Sequence, residues 1–63
     1  MALSTLETIC LRWLSCGQSL EEILILEAIG LNELDVALQN AMIRLEVETR
    51  EDAIKKALRL NLL

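Results

Sequence analysis

The side chains of this chain that could carry out metal or redox chemistry are two cysteines. Cys10 and Cys16 lie six residues apart, and the sequence contains no histidine, so they do not form a zinc site. Cys10 falls on an apolar helical stripe and is expected to be a small buried hydrophobe. Cys16 stands next to Gly17 and is expected to be more exposed. We therefore predict no metal and no cofactor.

Carboxylates are the remaining candidates for catalysis, and Glu21, Glu22 and Glu27 form the nearest group. The chain has no His or Tyr, no glycine-rich phosphate loop and no nucleophile with a base to activate it. Glu21 and Glu22 also occupy a first helical turn, where the helix dipole stabilises acids. A solvated acidic face explains this group, and the chain is predicted not to be an enzyme.

Size and composition indicate one small helical domain covering residues 1–63. A chain this short buries only about 60% of its unfolded surface. Hydrophobic residues make up 54% of it, the mean hydropathy is +0.44, and proline is absent. Leu, Ile, Ala and Glu dominate, which predicts an all-α fold. A core of this size cannot hide so much aliphatic surface, and part of it is expected to stay exposed or to meet a partner.

The chain carries no sign of membrane insertion or export. No apolar run approaches the roughly 20 residues of a membrane-spanning helix. The amino terminus lacks the charged region and cleavage site of a signal peptide. Reduced thiols in a chain without such a signal indicate a cytoplasmic protein. An initial Met close to the first helix favours a complete small protein over an effector domain excised from a larger regulator.

Four N-capping signatures divide the chain into helices. Ser4 and Ser19 are each followed three residues later by Glu, which makes a capping box. Asn32 and Thr49 are placed to cap the third and fourth helices. Gly30, which can take the left-handed conformation, is expected to stop the second helix. The helices are predicted at approximately residues 4–15, 19–28, 32–45 and 49–61.

Residues 19–45 outline a helix-turn-helix, and the third predicted helix has two distinct faces. Its core face consists of apolar residues that recur at helical spacing: Leu34, Ala37, Leu38, Ala41 and Leu45. Val36 and Ile43 lie almost directly opposite that face, because successive helical residues are about 100° apart. Gln39 and Asn40 lie between them. Two aliphatic residues one heptad apart, surrounded by carboxylates and amides, are typical of a small partner-binding stripe.

A set of residues spaced along the whole chain matches the pattern of a known family. It comprises G-x-S-x-x-E-I at residues 17–23, L-x-V-x-x-R at residues 45–50, and four positions of the first helix and its approach: Leu3, Glu7, Leu11 and Leu14. From residue 3 to residue 62 the chain resembles the LuxR/GerE-type helix-turn-helix domain, the DNA-binding module of many bacterial response regulators and quorum-sensing regulators. The resemblance implies a four-helix domain whose third helix enters the major groove and whose fourth helix forms dimers.

The departures from that family's pattern fall where DNA would be met. Asp35 stands where the family usually has lysine, Ala37 where it usually has histidine, and Glu33 where it usually has threonine. Glu46 replaces the usual glycine. Arg44 alone keeps the basic character of its position.

The charge balance also opposes DNA binding. The chain has a net charge of −4, and no Lys or Arg occurs between Gln18 and Ile43. That stretch carries five carboxylates: Glu21, Glu22, Glu27, Glu33 and Asp35. DNA-binding proteins cluster basic residues, because phosphate contacts with counterion release supply most of the nonspecific affinity. Carboxylates within a Debye length of about 8 Å repel a phosphate backbone.

These observations favour a transcription-regulatory protein that binds protein. The favoured hypothesis is an antiactivator-like protein that binds a transcription factor, on a helix-turn-helix scaffold that has lost its DNA-binding face. Its predicted partner surface is the outer face of the third helix, extended by one residue of the second: Asp35, Val36, Gln39, Asn40, Ile43 and Ile25. The alternative is a stand-alone LuxR/GerE-type DNA-binding regulator that contacts DNA through Asn32, Gln39, Asn40 and Arg44. A weak homodimer is also predicted, through the apolar arc of the fourth helix: Ala53, Ile54, Ala57, Leu58 and Leu60.

Overall fold

The computed structural model describes residues 2–63 and contains four α-helices, with no strand in that range. The helices are α1 (Thr5–Ser15), α2 (Leu20–Leu26), α3 (Leu31–Leu45) and α4 (Arg50–Arg59). The prediction of an all-α chain with four helices is confirmed, although α2 and α4 each end two residues before their predicted ends at residues 28 and 61. Over the described residues, no helix has the length and apolar character needed to cross a membrane.

Three of the helices begin at a side-chain cap that the sequence predicts. The Ser4 hydroxyl accepts a hydrogen bond from the Glu7 backbone N–H at 3.2 Å, and the Glu7 carboxylate accepts one from the Ser4 N–H at 3.2 Å. Ser19 and Glu22 repeat this capping box at 3.2 and 3.0 Å. Thr49 accepts from the N–H three residues further on at 3.1 Å. Each cap contributes about 1 kcal/mol, a sizeable part of the roughly 5 kcal/mol that stabilises a small domain.

The start of α3 differs from the prediction. Gly30, not Asn32, is its N-cap residue, with extended backbone angles of φ −84° and ψ 162°. The Glu33 carboxylate accepts a hydrogen bond from the Gly30 N–H at a long 3.5 Å. The prediction of Asn32 as the cap is wrong because Leu31 is already helical, which places Asn32 inside the first turn.

All four helices end with one residue in the left-handed conformation, followed by a residue whose N–H bonds back into the last turn. The left-handed residues, with φ between 52° and 89°, are Gly17, Ala28, Glu46 and Asn61. After α2, for example, the Ile29 N–H donates to the Leu24 carbonyl at 3.2 Å, which satisfies a carbonyl that the helix end leaves unpaired. The prediction that Gly30 takes the left-handed conformation is wrong: Ala28 takes it, because α2 ends at Leu26.

α3 is the element against which the other helices pack. It contacts α1, α2 and α4, and all five residues of its predicted core face are buried. The other helices contribute the rest of the buried apolar side chains: Cys10 and Leu11 from α1, Ile23 from α2, and Ala53 and Ala57 from α4. Because alanine is small, the last two let α4 approach the core closely.

Polar contacts join the ends of helices around this core. The Lys56 ammonium of α4 donates to the Leu45 carbonyl at the end of α3 at 2.6 Å. This contact satisfies a carbonyl that would otherwise lack a partner within the helix. The Trp13 indole N–H of α1 donates to the Glu27 carboxylate at the end of α2 at 2.7 Å. The second contact holds the turn after α2 against α1.

We expect glycine at Ala28 or Glu46 to stabilise the fold. The left-handed conformation costs a residue with a Cβ roughly 1–2 kcal/mol of stability. Glycine avoids this cost, but its greater conformational freedom in the unfolded chain offsets part of the gain in stability. Ala28→Gly and Glu46→Gly should therefore each raise the free energy of unfolding by about 0.5–1 kcal/mol. The measurement is urea denaturation followed by circular dichroism.

The control for these substitutions is Gln39→Gly, in the exposed middle of α3. It should lower the free energy of unfolding by about 1 kcal/mol, because glycine in a helix interior costs backbone entropy. If Ala28→Gly and Glu46→Gly lower the stability as Gln39→Gly does, the left-handed conformation described for these two residues is wrong.

Candidate protein-binding surface

The outer face of α3 is apolar at two points and polar around them. Val36 and Ile43 expose 57% and 71% of their surface. Asp35, Gln39 and Asn40 are exposed beside them. Positions 36, 40 and 43 follow i, i+4, i+7 spacing, so their side chains lie along one stripe of the helix. The structure therefore places these five residues at the surface, on the side of α3 that faces away from the core.

A groove of about 350 Å³ runs beside this stripe, between the start of α1 and α3. Leu6, Val36 and Ala37 supply its apolar surface, with Ala37 buried at the floor. Polar side chains complete the lining: Ser4, Glu7, Asn32, Glu33 and Asn40. We call this the α1–α3 groove. Its combination of alkyl, amide and carboxylate groups suits contact with an amphipathic segment of another protein.

One carboxylate of the groove is paired with an arginine. Glu7 is only 3% exposed. Its Oε1 accepts a hydrogen bond from the Ser4 N–H at 3.2 Å and forms a salt bridge with Arg44 Nε at 3.1 Å. These partners compensate the charge of a carboxylate that burial would otherwise penalise. Arg44, the basic residue among the predicted DNA contacts, is thereby held against α1, and its charge is offset locally.

The other carboxylates of this surface have no basic partner. The Arg44–Glu7 pair is the single salt bridge among residues 2–63. Glu33 and Asp35 are exposed and belong to the stretch of the sequence that lacks Lys and Arg. The outer face of α3 is therefore acidic. The remaining predicted DNA contacts are amides exposed on this same helix: Asn32, Gln39 and Asn40.

Ile25 does not belong to the α1–α3 groove. It is 80% exposed on α2, and it lines a separate depression with Trp13, Gln18, Glu22 and Leu26. The structure therefore brings five of the six predicted partner residues together on α3 and leaves Ile25 on a different part of the surface. The reason is that Ile25 projects from α2 beside Trp13, whereas the groove is formed by α1 and α3.

The predicted dimer face is only partly available. Ala53 and Ala57 are fully buried in the core, so the prediction that they form part of a dimer face is wrong. Their small side chains serve contacts within the chain instead. Ile54 is half-buried, Leu58 is exposed on α4, and Leu60 is exposed just after the end of that helix.

The two cysteines have different environments. Cys10 is buried, Cys16 is exposed after the end of α1, and both are free thiols. Burial raises the pKa of the Cys10 thiol, and the negative charge of Glu27 raises it further. Among residues 2–63, no group of three or more His, Cys, Asp or Glu side chains is placed to hold a metal ion.

Sequence reasoning missed the α1–α3 groove and the Glu7–Arg44 pair. The sequence does contain one signal for the pair, since Glu7 is the N3 residue of a capping box and so has a fixed orientation. Nothing local indicates that Arg44 reaches it. The groove itself depends on how α1 and α3 are spaced, which no short stretch of sequence encodes.

A scan against protein-family models, a search of curated proteins and a search of solved structures each found no match to this chain. The fold and the surface by themselves define a class: a small all-α protein with an acidic, partly apolar groove on its central helix.

We expect the two thiols to react at very different rates. The thiolate is the reactive form of cysteine, and burial opposes both its formation and its access at Cys10. A chromogenic disulfide reagent at pH 8 should therefore modify one thiol per native chain rapidly and the second only after denaturation. Cys16→Ser should remove the rapid phase. Rapid modification of both thiols in the native protein would contradict the burial of Cys10.

Proposed function

We propose that this chain is a small transcription-regulatory protein that acts by binding a transcription factor. The observation that carries the proposal is the outer face of α3, which exposes Val36 and Ile43 among carboxylates and amides and carries no cation between them. When a partner covers exposed aliphatic side chains that are flanked by polar groups, the burial of their apolar surface stabilises the complex. No comparable observation favours a reaction on a bound substrate, so we propose a binding role and not catalysis.

The scaffold for this role is a helix-turn-helix of the LuxR/GerE type. The resemblance through residues 3–62 supports it, as does the succession of a short α2, a turn and a longer α3. In that family the third helix reads DNA. Here the corresponding helix carries Glu33 and Asp35, and the charge of Arg44 is offset by Glu7. A helix of this charge repels phosphates, so we propose that the scaffold has been turned to protein recognition.

An antiactivator is the regulatory role that fits this combination. A protein that occupies the surface of a transcription factor withdraws it from DNA by mass action, without DNA contacts of its own. The resemblance makes regulators of the LuxR/GerE type the first partners to test. The cytoplasm is the proposed location, since these partners act there.

DNA binding is the competing function, and the exposed amides of Asn32, Gln39 and Asn40 are the observation in its favour. Asn and Gln side chains can pair with adenine edges in the major groove. Such contacts specify sequence but do not supply the electrostatic affinity that holds a protein on DNA.

We expect this protein to bind DNA more weakly than the roughly 10⁻⁴–10⁻⁶ M that is usual for nonspecific binding at physiological salt. Fluorescence anisotropy of a labelled duplex at several salt concentrations measures this. Asp35→Lys changes the local charge by two units and should strengthen DNA binding. Submicromolar binding by the unmodified protein, with a steep dependence on salt, would contradict the proposed function and favour the DNA-binding alternative.

We expect Val36→Asp and Ile43→Asp each to weaken binding to the partner by roughly 1–3 kcal/mol, as the loss of a buried interface anchor does. Both residues are exposed in the free protein, so the free energy of unfolding should change by no more than about 0.5 kcal/mol. The assay is capture of purified transcription factors, beginning with regulators of the LuxR/GerE type, with circular dichroism of every variant.

Two variants control this experiment. Leu26→Asp alters a residue that is 51% exposed on α2, away from the groove, and should leave capture unchanged. Leu38→Asp places a charge in the core, where burial of an unpaired carboxylate costs several kcal/mol, and should unfold the domain. If Val36→Asp and Ile43→Asp are folded and capture the partner as the unmodified protein does, the α3 surface is not the interface.

A further inference from the structure

The α1–α3 groove has the length of a short helix. Its α3 wall runs from Asn32 to Asn40, which at 1.5 Å per residue is about 12 Å. Ile43 continues the exposed stripe of the same helix to about 16 Å. Apolar side chains at i, i+4 and i+7 of a partner helix span about 10.5 Å. Three such side chains therefore fit along this wall.

The lining of the groove favours a helical occupant over an extended one. An extended segment has unpaired backbone N–H and C=O groups, and these need partners when they are removed from water. The apolar surface of Leu6, Val36 and Ala37 offers none. The amides of Asn32 and Asn40 could pair with only some of these backbone groups. Glu7 is already occupied by the Ser4 N–H and Arg44. A helix pairs its own backbone groups, so it requires only side-chain contacts from the groove.

The charge of the surface determines which side chains should flank that helix. Glu33 lies at the edge of the groove and Asp35 is exposed on the same helix, and neither forms a salt bridge with any of residues 2–63. No Lys or Arg of the central stretch competes for them. The negative potential of these carboxylates attracts basic side chains of a partner and repels acidic ones.

We propose that the α1–α3 groove binds an amphipathic helix of a partner protein, one that carries apolar side chains at i, i+4 and i+7 and Lys or Arg beside them. The apolar side chains cover Leu6 and Val36, and the basic ones lie beside Glu33 and Asp35. This inference rests on the proposed function, because it names the partner segment that the same surface recognises.

The test uses two labelled helical peptides as probes. Both carry Leu at i, i+4 and i+7, and the flanking positions are Lys in the first and Glu in the second. In fluorescence anisotropy the Lys peptide should bind at least tenfold more tightly than the Glu peptide, and added salt should reduce the difference. In NMR spectra the side-chain amide signals of Asn32 and Asn40 should shift on binding, whereas that of Asn61, beyond α4, should not.

Matched variants separate the groove from the rest of the surface. Val36→Ser removes an apolar anchor without adding charge, and should weaken Lys-peptide binding about tenfold. Glu33→Gln removes one charge but keeps an acceptor for the Gly30 N–H; it should weaken binding about threefold at low salt. The controls are Leu26→Ser and Glu51→Gln, which should stay within twofold. Circular dichroism checks that each variant is folded.

Several outcomes overturn the proposal. They are no binding of the Lys peptide at millimolar concentration, equal binding of both peptides, and equal effects of the groove and control variants. Self-association of the protein that Val36→Ser abolishes also overturns it, because a second copy then fills the groove. If a transcription factor is captured through Val36 while the Lys peptide fails to bind, this inference is wrong and the proposed function stands. If no partner binds through the groove at all, both are wrong.

Discussion

The packing of three helices against one side of α3 is the constraint on which the rest of this structure depends. A chain of 63 residues can build only one small core, and here that core is centred on the five buried residues of α3. The 3.6-residue period of the helix then leaves the opposite side of α3 free. Val36 and Ile43 are exposed as a direct consequence. The same helix therefore serves as the centre of the core and as the candidate binding surface.

Four of the ten acidic residues form two pairs that differ in their partners. Glu7 forms a salt bridge with Arg44 Nε of α3, and Glu27 accepts a hydrogen bond from the Trp13 indole N–H of α1. They hold α1 in place. Glu33 and Asp35 are exposed on α3 and form no salt bridge within the part of the chain that the structure describes. Glu33 and Asp35 thus place negative charge on the same helix as the exposed aliphatic side chains, and the two features together motivate the proposed partner surface.

Non-glycine residues in the left-handed conformation at the helix ends cost the fold a small amount of stability. Only Gly17 has the residue type best suited to the left-handed conformation, while Ala28, Glu46 and Asn61 adopt it with a side chain present. Each of these turns returns a backbone N–H to the preceding helix, which compensates a carbonyl that would otherwise be unpaired. The short turns keep α2, α3 and α4 in close succession. This arrangement lets a small chain enclose its core with few loop residues.

The sequence by itself determined those features that depend on residues three or four positions apart. They include the four helices, the caps at Ser4, Ser19 and Thr49, and the core face of α3, because capping and helical periodicity are local effects. Competition between neighbouring signals was harder to judge: Gly30 and Asn32 are both good N-caps, and the position of Leu31 in the helix decided between them.

Only the tertiary structure decided which apolar and charged groups meet. Ala53 and Ala57 have the spacing of an interface but fill the core, since α4 packs against α3. Ile25 lies away from the α1–α3 groove, although it is as exposed as the α3 stripe. The Glu7–Arg44 pair and the groove itself require α1 and α3 to be at a particular distance. That distance is set by the volumes of many side chains packed together, and no local pattern of residues specifies it.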